Sequence, residues 1–81
     1  MSETSTEGEL EDLLLAAHAR RDTEALVDLY RRVADLHEAD GKIDSACFYL
    51  TQALVFALHA GSPAETKIRA RLCAHGRDRP A

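Results

Sequence analysis

Four histidines and two cysteines are the residues of this chain whose chemistry could do more than pack. Histidine ligates metals and moves protons near neutral pH, and a cysteine thiolate is a nucleophile or a soft metal ligand. Spacing decides whether either is in play. His18, His37, His59 and His75 fall one to each helical stretch, with no HExxH or other close ligand pair. His37 and Asp40, three apart, could share an ion, but so could many chance pairs. A structural part is expected of each histidine. For His18 and His37 it is a position at the border of an apolar stripe, with one ring nitrogen hydrogen-bonded. Cys47 and Cys73 form no CxxC pair and match no zinc spacing. Cys47, beside Phe48 and Tyr49, reads as a small buried hydrophobe. Cys73 lies near Arg69, Arg77 and a helix end, which makes it the better candidate for a reactive thiolate. A nucleophile also needs a base held by a third group, and only His75 is near in sequence. An enzyme or ligand carrier using Cys73 and His75 is therefore the minor reading. Asp40, Lys42 and Asp44 begin like a calcium loop, but the glycine is misplaced and no Glu follows at the required distance. No metal, cofactor or catalytic residue is assigned, and a non-enzymatic protein is expected.

The elements that carry these residues are all helical. The first should run over about 9–21, with Leu10, Leu13, Leu14, Ala17 and His18 on one face and Leu15 and Ala16 widening it. Asp22 or Thr23 caps the second, whose buried stripe is Leu26, Leu29, Tyr30, Val33, Leu36 and His37. Its wet side is Asp28, Arg31, Arg32, Asp35 and Glu38. Gly41 supplies the left-handed residue that commonly ends a helix. The third helix runs from about 43 to a stop at Gly61 and is apolar almost all round, which means it must be covered on several faces. Ser62 and Glu65 make a capping box for the fourth, with Pro63 at its first position. Ala64, Ile68 and Leu72 give that helix a narrow apolar stripe, and Gly76 ends it. The expected fold is all-α: four antiparallel helices, as helical hairpins or a small bundle, in one domain over residues 9–76. Residues 1–8 form a disordered acidic N-terminus and residues 77–81 a flexible tail in this reading.

Charge and composition narrow the function classes. The formal net charge of −4 is unevenly placed. The first twelve residues carry Glu3, Glu7, Glu9, Glu11 and Asp12, and residues 62–81 carry Lys67, Arg69, Arg71, Arg77 and Arg79. Helix electrostatics accounts for this pattern, since acids favour the first turn and bases the last. Nucleic acid is not the expected partner: no aromatic residue lies beyond Phe56 to stack on bases. A helix-turn-helix around Gly41 would need a polar, basic second helix, and the third helix contains no Lys or Arg. No secretory signal is visible in the acidic first ten residues. The apolar stretch 46–60 is short of the ~20 residues of a spanning helix, so no membrane is expected. The cysteines fit thiols in a reducing compartment, and the expected location is cytoplasmic.

Helices two and three can be laid on a known repeat pattern. Tyr30, Val33, Ala34, His37, Ala46 and Leu50 fall at its spacings, Gly41 sits in the turn, and Ala53-Leu54 stand where Ala-Leu is usual. In these positions the chain resembles a tetratricopeptide repeat. Val33 stands for Leu, Ala34 for Gly, His37 for Tyr and Leu50 for Phe, and the closing proline is replaced by Leu58. The resemblance covers residues 27–60 and implies a protein-binding module whose first helix lines a groove. Asp28, Arg31, Asp35 and Glu38 would then face the groove. Asp35 would repel a C-terminal carboxylate, the ligand some such repeats clamp.

One repeat is fewer than the three or more such arrays use, and a chain of 81 residues buries a modest core. Self-association supplies what is missing. The expected function is a protein–protein interaction module, a homo-oligomer with a dimer favoured, whose protein interface is drawn from Phe48, Tyr49, Val55 and Phe56. Leu50 fits both that interface and the hairpin interior. The alternative is an accessory or regulatory subunit that inserts the third helix into a larger enzyme or complex.

Overall fold

The computed structural model describes the backbone of residues 2–77 and the side chains of residues 8–77. Four helices follow one another: α1 (Ser2–Arg20), α2 (Thr23–Ala39), α3 (Ile43–Ala60) and α4 (Ala64–Ala74). Among the described residues there is no strand. α1 begins at Ser2, ahead of the Glu9 that the apolar periodicity marks, so the backbone of the acidic segment continues the helix. Met1 and the tail beyond Arg77 lie outside the described residues.

Local chemistry sets the boundaries. The carboxylate of Asp22 accepts the N–H of Ala25 at 3.2 Å and caps α2. The Ser62 hydroxyl accepts the N–H of Ala64 at 3.1 Å ahead of α4. The second half of the expected capping box does not form, because Glu65 turns along the helix to accept from Arg69 at 3.1 Å. At the other ends the chain closes with paired bonds to the last turn. Lys42 donates to the carbonyl of His37 at 2.9 Å and Gly41 to that of Glu38 at 3.0 Å. Ser62 and Gly61 do the same to Ala57 and Leu58 at 2.9 and 3.3 Å. Gly41 and Gly61 sit at φ of 78° and 64°, where an L side chain is strained. α1 ends with the same pair of bonds, Asp22 to Ala17 at 3.0 Å and Arg21 to His18 at 3.1 Å. Here the left-handed residue is Arg21, at φ 55°.

The helices zigzag in two layers. α2 packs most extensively on α3, while α1 packs on α2 and α3 on α4. α1 also reaches α3 through the rings of His18 and Phe56, whose centroids are 5.8 Å apart. α2 reaches α4 through Arg71, whose guanidinium is 2.8 Å from Asp35. The 14 Å thinnest extent matches two helices with axes about 8–10 Å apart.

Two clusters fill the interior. Val27, Ala34, Cys47, Leu50, Ala53, Ala57, Ile68 and Leu72 join α2, α3 and α4. Leu10, Ala17, Leu26, Leu29 and Val33 join α1 to α2. Tyr30, Tyr49 and Phe56 pack against both clusters. Leu50 is fully buried, which assigns it to the hairpin interior and not to an interface. Leu13, Leu15 and Leu36, expected in or beside the buried stripes, are exposed. α1 is an end helix packed on α2, and Leu13 and Leu15, about 160° apart round it, both lie off the face that α2 covers.

An arginine in the left-handed region costs about 1–2 kcal/mol that glycine avoids. Arg21→Gly is therefore expected to raise the urea midpoint of unfolding at unchanged slope, while Gly61→Ala lowers it. A fall in stability for Arg21→Gly would contradict this account of the α1–α2 turn.

Candidate interaction surface

Three of the four histidines make contacts between helices. His18 Nε2 lies 3.1 Å from the Tyr30 hydroxyl, binding the end of α1 to α2. His37 packs its ring against Tyr49, centroids 5.1 Å apart. His75 Nε2 is 2.7 Å from Glu38. His59 is exposed near the end of α3. Cys47 is a buried free thiol and Cys73 a half-buried one. Among the described residues no three His, Cys, Asp or Glu side chains gather as a metal site would need.

One row of rings crosses α1, α2 and α3. Tyr30 stacks on Phe56 at 5.7 Å and on Tyr49 at 6.2 Å. His18 meets Phe56 edge-on, and Phe48 meets Tyr49 edge-on at 5.2 Å. Offset and edge-to-face pairs of this kind add about 0.5–1.5 kcal/mol each beyond the area they bury. Burial, and then neighbouring Tyr49, push the Tyr30 phenol above its ordinary range. Tyr49 and Phe56 are thus half-buried members of the row, and it is Phe48 and Val55 that stand clear of the protein.

The outer face of α3 follows from its inner one. Ala46, Cys47, Leu50, Ala53 and Ala57 point to α2 and α4. On the opposite side Phe48 is 58% exposed and Val55 42%, and on the flank beside Cys47 Leu58 is 49% exposed. After Asp44 no Asp, Glu, Lys or Arg occurs in the helix. By length and composition alone α3, at 18 residues with a mean hydropathy of 1.2, suffices to cross a membrane. The core helix of a soluble protein meets the same measure, so it is weak evidence for a membrane.

The expected groove residues have a different setting. Arg71 of α4 bridges Asp35 at 2.8 Å and Glu38 at 3.1 Å, and His75 adds its contact to Glu38. Asp28 pairs with Arg32 one turn on, at 3.0 Å. Arg31 is half-buried on the same helix. The two acidic residues nearest the end of α2 therefore find partners within the chain, in a seam with α4. Asp35 has its ion-pair partner, Arg71, on another helix, although Arg31 lies four residues before it on its own. Arg77 reaches Asp44 in the same way, tying the end of α4 to the start of α3.

No protein-family model, curated protein or solved structure matches the chain. The functional reading rests on the surface itself.

The hydrogen bond with His75 is the main cause that holds the Glu38 carboxyl below the ordinary glutamate range; burial opposes it, and the charge and hydrogen bond of Arg71 add to the lowering. A carboxyl depressed in the folded state stabilises the fold above its unfolded value, and that contribution is lost as pH falls through the folded one. Glu38→Gln should cost stability at about pH 6 and progressively less towards about pH 3. Chemical denaturation at a series of pH values checks this. A deficit that stays constant across the series would show that the charge of Glu38 does not hold α4.

Proposed function

We propose that this chain is a non-enzymatic protein–protein interaction module that associates with itself through the outer face of α3. The observation that carries the reading is the run of exposed Phe48, Val55 and Leu58 on a helix without a charged residue after Asp44. Exposed apolar side chains scattered singly are normal on a protein surface, but a contiguous set marks a contact site. Phe48 and Val55, two turns apart on α3, lie on one side of it.

Size supports the same reading. A small domain buries a limited share of its surface, and pairing is a common remedy where neither disulfide nor metal helps. Cys47 and Cys73 are both free thiols, in keeping with a cytoplasmic setting, which belongs to the same proposal. So does a tetratricopeptide-like hairpin over α2 and α3. Fully buried Ala34, Ala46 and Ala53, where those helices approach, are compatible with it. Association would supply the neighbours that a lone repeat lacks.

Multi-angle light scattering at micromolar concentration tests the reading. The expected particle is a multiple of the 8.9 kDa chain mass, a dimer first. A soluble particle at the chain mass across that range would overturn self-association.

A further inference from the structure

His75 stands at the C-terminal cap of α4 and reaches across to α2. Its Nε2 is 2.7 Å from Glu38, and the two side chains are 22% and 36% exposed. The groups around this contact come from three helices and a turn. On α2, Asp35 and Glu38 are both met by Arg71, at 2.8 and 3.1 Å. The ring of His37, next to Glu38, is turned to Tyr49 of α3. In the α2–α3 turn Asp40 and Lys42 pair with each other at 3.3 Å. On α3, Asp44 is bound by Arg77. On α4 itself, Cys73 is a free thiol two residues before His75. Three carboxylates, Asp35, Glu38 and Asp44, thus meet two guanidinium groups, Arg71 and Arg77. A protonated His75 makes the two sides equal. The carbonyl end of α4 also favours a positive charge at this place.

The geometry points to a pH-sensitive latch at the end of α4, closed on α2 by protonated His75 against Glu38 and loosened when His75 loses its proton. Imidazole changes charge between about pH 5 and 8. A contact in which both partners are ionised is stronger than one made by the neutral ring. The neutral ring can still donate from Nε2, so α4 is loosened and not set free. Glu38 is held below the ordinary glutamate range by this contact, and so stays a carboxylate throughout that window. A histidine that gains a carboxylate partner on folding adds stability while it is protonated, and the contribution is lost as pH rises. What the latch covers is the inner side of α3. At 11 residues α4 is too short to stand as a helix in water, and it buries only Ile68 and Leu72. Cys47, 3% exposed, packs in one cluster with both of them. Lifting α4 therefore uncovers the Cys47 thiol.

Two measurements on the full chain test the latch. Hydrogen exchange, corrected for the intrinsic pH dependence of amide exchange, gives the opening equilibrium of α4. That equilibrium should rise about three- to tenfold relative to α2 between about pH 5.5 and about pH 8. Alkylation of Cys47 in a Cys73→Ser background, expressed per thiolate, should rise in parallel. His75→Gln keeps a donor for Glu38 without the change of charge, so both responses should be flat at the open level. His75→Lys keeps the charge throughout, so both should be flat at the closed level. A role for His75 in packing alone would shift the level in these variants and leave the slope. A parent chain whose α4 opens equally at both pH values, or a rise that persists in His75→Gln or His75→Lys, overturns the latch.

Discussion

The close approach of α2 and α3 is the constraint on which the rest depends. Ala34, Ala46, Ala53 and Ala57 are fully buried where these helices meet, and Leu50 fills the space beside them. Small side chains let helix axes come near, and near axes leave little room for anything bulky on the facing arcs. The larger residues of α3 are consequently displaced from the centre. Tyr49 and Phe56 go to the flank, where Tyr30 stacks between them and His18 closes the row. Phe48 and Val55 are turned past that flank to the outside. The apolar outer face is thus the geometric remainder of an alanine-lined hairpin on a helix that has few polar residues to place there.

The two end helices are attached by different means. α1 is bound by a narrow apolar line, by the contact of His18 with the Tyr30 hydroxyl of α2 and by one ring contact to α3. α4 is the shortest helix and buries only Ile68 and Leu72. Its attachment is completed by Arg71, His75 and Arg77, which reach acidic residues on α2 and α3. Partly exposed ion pairs contribute little singly, but a guanidinium shared between two carboxylates fixes the orientation of α4. The same seam pairs Asp35 and Glu38 with groups of α4.

The fold was legible in the sequence because its signals are local. Asp22, Gly41, Ser62 and Gly61 marked the helix limits through the hydrogen bonds and backbone angles those residue types permit. The apolar spacing of Ile68 and Leu72 identified the buried side of α4. The candidate surface was legible only in part. Phe48, Tyr49, Val55 and Phe56 stood out as more apolar surface than thin helices cover. Spacing along one helix, however, cannot tell a side chain turned towards a neighbour from one turned to water. Leu13 and Leu36 fit a helical stripe as well as Leu10 and Leu26 do, yet are exposed. Arg71 gave no sign of its partners, since its ion pairs join residues far apart in the chain.

By itself, then, the sequence determined the four helices, most of their limits and the class of the fold, because capping and periodicity act over a few residues. It also determined that α3 carries no charge after Asp44, a matter of composition alone. The tertiary structure decided which arc of α3 is core, through the direction from which α2 and α4 approach. It decided that Tyr49 and Phe56 are half-buried in the row of rings and that Phe48 and Val55 are exposed. It decided, finally, that Asp35 and Glu38 belong to a seam with α4. Each of these follows from contacts between helices, whose geometry is set by packing and not by any single stretch of chain.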